Sequence, residues 1–261
     1  MTDAAARWAS GLASWALPSD LVDAAPRSPW GHDPEHFRDR NEQARDRSSP
    51  ADRAARAALP RFGSLLDVAC GAGAATVALG GRGRHVTGVD IDPRMLELFS
   101  AAAQAPLRRV ETIVGRWPDV EAPPADVVVC HDVAHDVPQL AAFVRALTAH
   151  ARRRVVMVVP QAHPMSWLTP YFEQLHGLSR PSRPTGDDAL DVIRETGVAP
   201  IVERYRDTTR WGSSGDRDEL IASVRRRLCL DQGDDPRIAL ALERVPPPTS
   251  REVLAVWWEP C

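Results

Sequence analysis

The sequence predicts an α/β fold: a seven-stranded, mostly parallel sheet with helices on both faces, preceded by a helical N-terminal segment and interrupted by two insertions. Three observations carry that prediction. From Ser64 onward, short runs rich in Val, Leu and Ile alternate with segments of helical periodicity, the pattern of strands joined by crossover helices. The first run enters a small-residue loop, Asp67-Val-Ala69-Cys-Gly71-Ala-Gly73. The second run ends at an acid, Asp90.

The elements follow in order. Trp8, Leu12 and Trp15 recur at helical spacing, so an amphipathic helix is expected over 4–17, ending before Pro18. Residues 25–37 are rich in turn formers yet hold Trp30, His32, His36 and Phe37, an unusual content for a linker. A short helix over 50–59 leads into the first strand. Strands are expected near 64–69, 85–90, 110–114, 125–130 and 154–159, with helices near 74–80, 93–104 and 138–152 between them. A helix over 186–196, closed by Gly197, precedes strands near 200–206 and 252–258. Two insertions break this alternation. Residues 160–184 follow the fifth strand and carry His163, Trp167, Tyr171 and Phe172. Residues 207–250 separate the last two strands and contain expected helices over 216–228 and 235–243. With the N-terminal segment they are the material for a lid over a binding pocket.

A buried strand turning through Gly and Ala into a helix lets a ligand approach the backbone, and the start of the helix offers N–H groups. An acid ending the next strand can accept hydrogen bonds from both hydroxyls of a ribose. The pair therefore specifies a pocket for an adenosine-containing cofactor. The dinucleotide fingerprint asks for a third small residue, where this chain has the β-branched Thr76. A phosphate-cradling loop needs a Lys, and all 32 basic residues here are Arg.

The stretch instead resembles the first motif of the class I S-adenosylmethionine (SAM)-dependent methyltransferases, matched by Asp67, Ala69, Gly71 and Gly73. Residues 86–96, with Asp90 and Ile91, are similar to the family's second motif, and 125–135 to its fourth-strand motif. The resemblance runs from about Leu65 to Pro260 and implies a SAM-binding domain over 61–261, with a lid segment over 1–60 and a last strand inserted antiparallel. It implies that Asp90 holds the ribose, that Ile91 packs on adenine, and that Cys130 and the end of the fourth strand lie beside the methionine half and the acceptor. Two residues depart from the pattern. Ala69 stands where the family often has Gly, and Arg116 where many relatives have an Asp that accepts from adenine. Arg cannot accept a hydrogen bond, so adenine must be read by a backbone carbonyl or another side chain. Trp117 is a candidate to cover the ring.

Methyl transfer is mainly a matter of positioning, helped by a base when the acceptor carries a proton. His131, His135 and His163 follow the fourth and fifth strands and are the candidates, with His32 and His36 reaching in from the lid. The His131-x-x-x-His135 spacing is that of a zinc pair on a helix, but a strand end gives the rings no reason to converge, so no metal is expected. The expected activity is methyl transfer from SAM, with S-adenosylhomocysteine (SAH) as product, to O or N of a small molecule. The alternatives are an NAD(P)-dependent Rossmann oxidoreductase and a non-catalytic SAM-binding protein. A pocket above His131 filled by Trp30 or Tyr171 would favour the latter.

Composition narrows the partners. A net charge of -3 gives no overall attraction to nucleic acid or anionic membrane. The clusters Arg152–Arg154 and Arg225–Arg227 read as solvated faces or helix ends. No apolar run approaches the roughly 18 residues of a membrane span. Cys70, Cys130, Cys229 and Cys261 show no paired spacing and are expected to be reduced, in a cytoplasmic and, from the Arg-only, Ala- and Pro-rich usage, bacterial protein. Oligomeric state is left open.

Overall fold

The computed structural model describes residues 3–30, 34–208 and 216–260, with side chains from residue 40 onward in the second span. Four helices precede the sheet: α1 (Asp3–Ala13), α2 (Ser19–Asp23), α3 (Pro34–Arg45) and α4 (Pro50–Ala58). Then come β1 (Ser64–Val68), α5 (Ala74–Ala78), β2 (His85–Asp90), α6 (Pro93–Ala102), β3 (Arg109–Val114), β4 (Ala125–His131), α7 (Leu140–His150) and β5 (Ala151–Pro160). The C-terminal part holds α8 (Thr169–His176), α9 (Gly186–Glu195), β6 (Ile201–Asp207), α10 (Arg217–Arg227), α11 (Asp235–Arg244) and β7 (Arg251–Trp258).

The seven strands form one sheet in the order β3-β2-β1-β4-β5-β7-β6. β1 to β5 pair in parallel, and β7 runs antiparallel to both β5 and β6, as expected. The central strands are apolar on both faces because both are covered: Val127 and Val129 pack toward one helix layer, Val128 and Cys130 toward the other. α4, α5 and α6 make the first layer, and α7, α9 and α1 the second. The edge strands β3 and β6 keep alternating exposed and half-buried positions rich in charge, which discourages further pairing.

Several boundaries differ from the expectation. β5 starts at Ala151, so Arg152–Arg154 begin a strand and do not close a helix, because Ala151 and Arg154 pair with the start of β4. α1 stops at Ala13, and α3 forms over Pro34–Arg45, starting inside the turn-rich stretch and running on where no helix was expected. Nor do residues 1–60 form a lid apart from the domain. Trp8 of α1 is buried in the core, its Nε1 donating to the Val137 carbonyl at 2.8 Å, and α4 packs on β4, β5 and β7. Only α2 and α3 are left for a covering role.

Both insertions fold into one small cap. Leu168, Tyr171 and Phe172 from the first meet Ile221, Val224 and Ile238 from the second in a separate apolar core, with Leu17 and Leu21 against it. Since β5 and β6 end, and β7 starts, at the same edge of the sheet, the cap stands over the C-terminal ends of the parallel strands.

Candidate active site

The loop after β1 is built from left-handed backbone. Ala69 has φ 53°, Gly71 φ 50° and Gly73 φ 95°. Three of its N–H groups are engaged within the protein, Cys70 N with the Val89 carbonyl, Gly71 N with Asp90 and Gly73 N with the Cys70 carbonyl, so the turns fasten the loop to itself and to the end of β2. Gly73 has a second reason to lack a side chain: a Cβ there would come within 2.9 Å of the Phe99 ring, and one at Gly88 within 2.6 Å. Phe99 thus locks α6 against both the loop and β2. Ala69 holds the same handedness at a cost that Gly would avoid.

Two carboxylates hold this loop in different ways. Asp67 is 1% exposed, and its Oδ2 accepts from the Thr76 hydroxyl at 2.7 Å. Burial drives its pKa up to about 7, with the Thr76 hydrogen bonds opposing and the Asp90 charge adding to the rise. Asp67 therefore braces the loop and is not aimed at a ligand, and Thr76, the residue that breaks the dinucleotide fingerprint, is its partner. Asp90 lies at the surface of the cleft. Its Oδ2 accepts from Gly71 N and its Oδ1 from Asp92 N, both at 2.9 Å. A carboxylate oxygen has two acceptor sites, so one remains on each oxygen for a pair of hydroxyls.

Beside Asp90, Ile91 is 60% exposed and Val114, its neighbour across the β2–β3 pair, is 59% exposed. Two large apolar side chains left open next to a ribose acceptor fit the walls of a slot for a planar ring. Val114 was not singled out in the sequence, although it ends β3 opposite Asp90. Trp117 does not cover this slot. It is buried in the core with its ring edge-on to His150 at 4.7 Å. Arg116 is exposed, and its carbonyl accepts from Asp119 N within its own turn. The Cys130 side chain is likewise withdrawn: strand alternation points it into the α7 core, and only its backbone is near the cleft.

α3 lies across the loop. It packs on α5 and α6. Asn41 Nδ2 donates to the Ala72 carbonyl at 2.6 Å. Arg40 pairs with Asp132 at 3.3 Å. Asp132, at φ 65° just beyond β4, also pairs with Arg251 at 2.8 Å, and Arg251 with Asp207 at 2.9 Å. This chain of charges ties α3 to the ends of β4, β6 and β7. Neither Arg40 nor Asn41 was picked out in the sequence.

The three histidines separate. His131 faces the layer opposite Cys130, near the Arg47–Asp52 ion pair and near Asp132 and Arg40. Its Nε2 is buried without a hydrogen-bond partner. Burial lowers its pKa to about 4, Arg47 adding to the fall and Asp52 opposing it, so the ring is neutral at physiological pH. His135 and His163 lie together, 5.3 Å apart and edge-on, but against the N-terminal segment. His135 packs on Trp8 at 5.4 Å, and His163 stacks flat on Trp15 at 3.9 Å while its Nδ1 accepts from Met165 N. Burial lowers their pKa values to about 4 and about 3. Both rings pack on the N-terminal segment, and His135 lies with His163 and not with His131. His32 and the side chain of His36 lie outside the described residues. Trp30 is exposed and Tyr171 bonds Val245 O inside the cap, so neither fills the space above His131.

A mostly parallel sheet with a left-handed glycine loop after β1, a carboxylate with spare acceptor capacity ending β2 and a helical cap over the strand ends is an arrangement suited to an adenosine-containing ligand. Residues 65–154 match the family described as a methyltransferase domain. The stretch from β1 to the start of β5 is thus similar to a methyltransferase domain, a kind of domain whose cofactor is SAM. Solved structures with this fold include a protein of Bacillus halodurans described as a candidate methyltransferase, at 15% identity over 81% of this chain and 99% of that one, TM-score 0.53. They also include the magnesium protoporphyrin IX methyltransferase of Synechocystis with bound SAH, at 18% identity over 85% and 82%, TM-score 0.50. A candidate sarcosine dimethylglycine methyltransferase of Galdieria sulphuraria covers 92% of this chain and 95% of its own at 11% identity, TM-score 0.51. A comparison with curated proteins yields no match.

Proposed function

We propose that this enzyme transfers the methyl group of SAM to an oxygen or nitrogen of a small-molecule acceptor seated between α3, the end of β4 and the helical cap. The observation that carries this reading is His131: a neutral imidazole at the end of β4 whose Nε2 is buried and without a partner in the protein. Such a nitrogen accepts a hydrogen bond from an O–H or N–H and turns the lone pair of that atom toward the cleft. SAM, when bound, supplies a methyl on a sulfonium, whose departure as a neutral thioether needs no acid. The remaining work belongs to residues of this chain. Asp90 and the 69–73 loop hold the donor, Ile91 and Val114 flank its ring, and the cap with α3 limits the acceptor to a small molecule and keeps water out.

The net charge of -3 supports a small molecule over nucleic acid. Buried free thiols at Cys70, Cys130 and Cys229 support a reducing compartment, the cytoplasm, and the Arg-only, Ala- and Pro-rich usage supports a bacterial source. Among the described residues no helix is long and apolar enough to cross a membrane. The test is a screen of hydroxyl- and amine-bearing small molecules with methyl-labelled SAM, followed by His131→Ala. We expect turnover to fall about 100-fold or more with SAH affinity changed less than twofold. Equal turnover in the variant removes His131 from the reaction, and label transferred only to RNA or protein overturns the small-molecule reading.

A further inference from the structure

The lid helix α3 carries a polar group with no partner at the edge of the cofactor site. Asn41 is 7% exposed. Its orientation is forced: the Ala72 carbonyl, 2.6 Å away, can only accept, so the side-chain nitrogen must face it and the oxygen must point away. That oxygen, Oδ1, is buried and unpartnered. A buried amide oxygen without a donor is unfavourable, and replacing Asn by an apolar residue of similar size would remove the penalty. The fold keeps it at the loop that carries Gly71 and Gly73.

The neighbourhood says what the missing donor is. α3 packs on both α5 and α6, the helices that leave the 69–73 loop and the Asp90–Asp92 turn. Arg40, beside Asn41, reaches the end of β4 at Asp132. Asn41 therefore belongs to a helix that spans the triangle formed by the loop, the helix after Asp90 and, through Arg40, the end of β4. The ligand that enters this triangle carries hydrogen-bond donors on its ribose and its amino-acid ammonium. We infer that α3 is the lid of the cofactor site and that Asn41 is a cofactor-binding residue, its amide nitrogen latching the lid to Ala72 while its Oδ1 accepts a hydrogen bond from SAM or SAH. The assignment rests on the methyltransferase reading of the site and adds to it a contact from outside the 65–154 domain.

A residue that only braces the lid and one that also touches the cofactor differ in where their loss is felt. The experiment measures SAH binding by calorimetry and ligand-free thermal stability for the full chain, in wild type, Asn41→Leu, Asn41→Ala and Asp90→Ala. Asn41→Leu removes the orphan oxygen and the latch while keeping the branched heavy-atom shape. The expected result is a ligand-free melting temperature close to wild type and SAH affinity reduced about tenfold, with Asn41→Ala weakening SAH similarly. Unchanged SAH affinity in both variants overturns the inference. So does a lower melting temperature with affinity intact, the signature of a bracing role. If wild type binds no SAH, or Asp90→Ala binds it as well as wild type does, the cofactor site itself has been misread and the inference falls with it.

Discussion

Replacing Asp67 by Asn should flatten the pH dependence of stability in a defined window. Asp67 is closed off from water, and its pKa rises from 3.8 to about 7 chiefly because burial disfavours the charge. The sign follows from linkage. Below pH 3.8 the carboxyl is neutral in both folded and unfolded chains and costs nothing. Between 3.8 and about 7 the unfolded chain has lost the proton and the folded chain still holds it, so stability falls as pH rises, and the loss is complete above 7. Two pH units within that window, from 5 to 7, correspond to about 3 kcal/mol at 1.36 kcal/mol per unit. Asn carries no ionisable proton, and its amide oxygen can still accept from Thr76. Urea unfolding of both proteins at pH 5 and pH 8 isolates the group, because every other titration is shared. The stability of wild type relative to Asp67→Asn should drop by about 3 kcal/mol between the two. Parallel pH profiles would refute the buried-proton argument and mean that the loop reorganises to hydrate Asp67.

Other consequences can be checked with the same preparations. Ala69→Gly should stabilise the protein by up to about 1 kcal/mol, since relief of a left-handed Ala is partly offset by the freer unfolded chain; a lower urea midpoint would contradict the strain at φ 53°. Asp90→Ala should weaken SAH binding by about 2 to 3 kcal/mol in calorimetry, because two hydrogen bonds to a charged acceptor vanish and Gly71 loses its brace. The contact of the N-terminal segment with His135 and His163 is stable above pH 6.5, where the imidazoles are neutral in both states. It is lost as pH falls toward their lowered values of about 4 and about 3. Tryptophan fluorescence should report solvent reaching Trp8 and Trp15 over that range, and His163→Gln should shift the change to lower pH.

The loop, Asp90 and the strand order were legible in the sequence because each is dictated locally: left-handed backbone selects Gly, and covered parallel strands must be apolar. The direction of a side chain on such a strand is less so. Cys130 and His131 are adjacent in the sequence and point to opposite layers, but a strand buried on both faces carries no alternation to mark them. Trp117 follows the expected adenine strand, yet an aromatic beyond a strand end can turn either into the cleft or into the core. Here it meets His150. α3 escaped because it is held by Arg40, Asn41 and one buried Ala44, and has no apolar stripe. The helix-start signal was present in Asp33-Pro34-Glu35 and was masked by the turn formers before it.

The insertions were legible as covering material, but their joining into one core was not, for a topological reason. The cap core joins Leu168 and Tyr171 to Ile238 and Leu242, residues on segments separated by a helix and an edge strand. What brings them together is the reversed β7. Because β7 is antiparallel to β6, the chain leaving Asp207 can re-enter the sheet at Arg251 without crossing to the other end, so the second insertion remains over the same edge as the first. A parallel β7 would have drawn that insertion away from the cofactor. The strand that distinguishes this sheet from an ordinary dinucleotide-binding one is therefore also the strand that keeps both insertions at one end of the sheet. Substitutions that reshape the cap, such as Phe172→Ala, should alter which acceptors are methylated while SAH affinity, set by the 69–73 loop and Asp90, stays within about twofold of wild type. Equal loss of both would mean that the cap holds the cofactor site together and does not choose the acceptor.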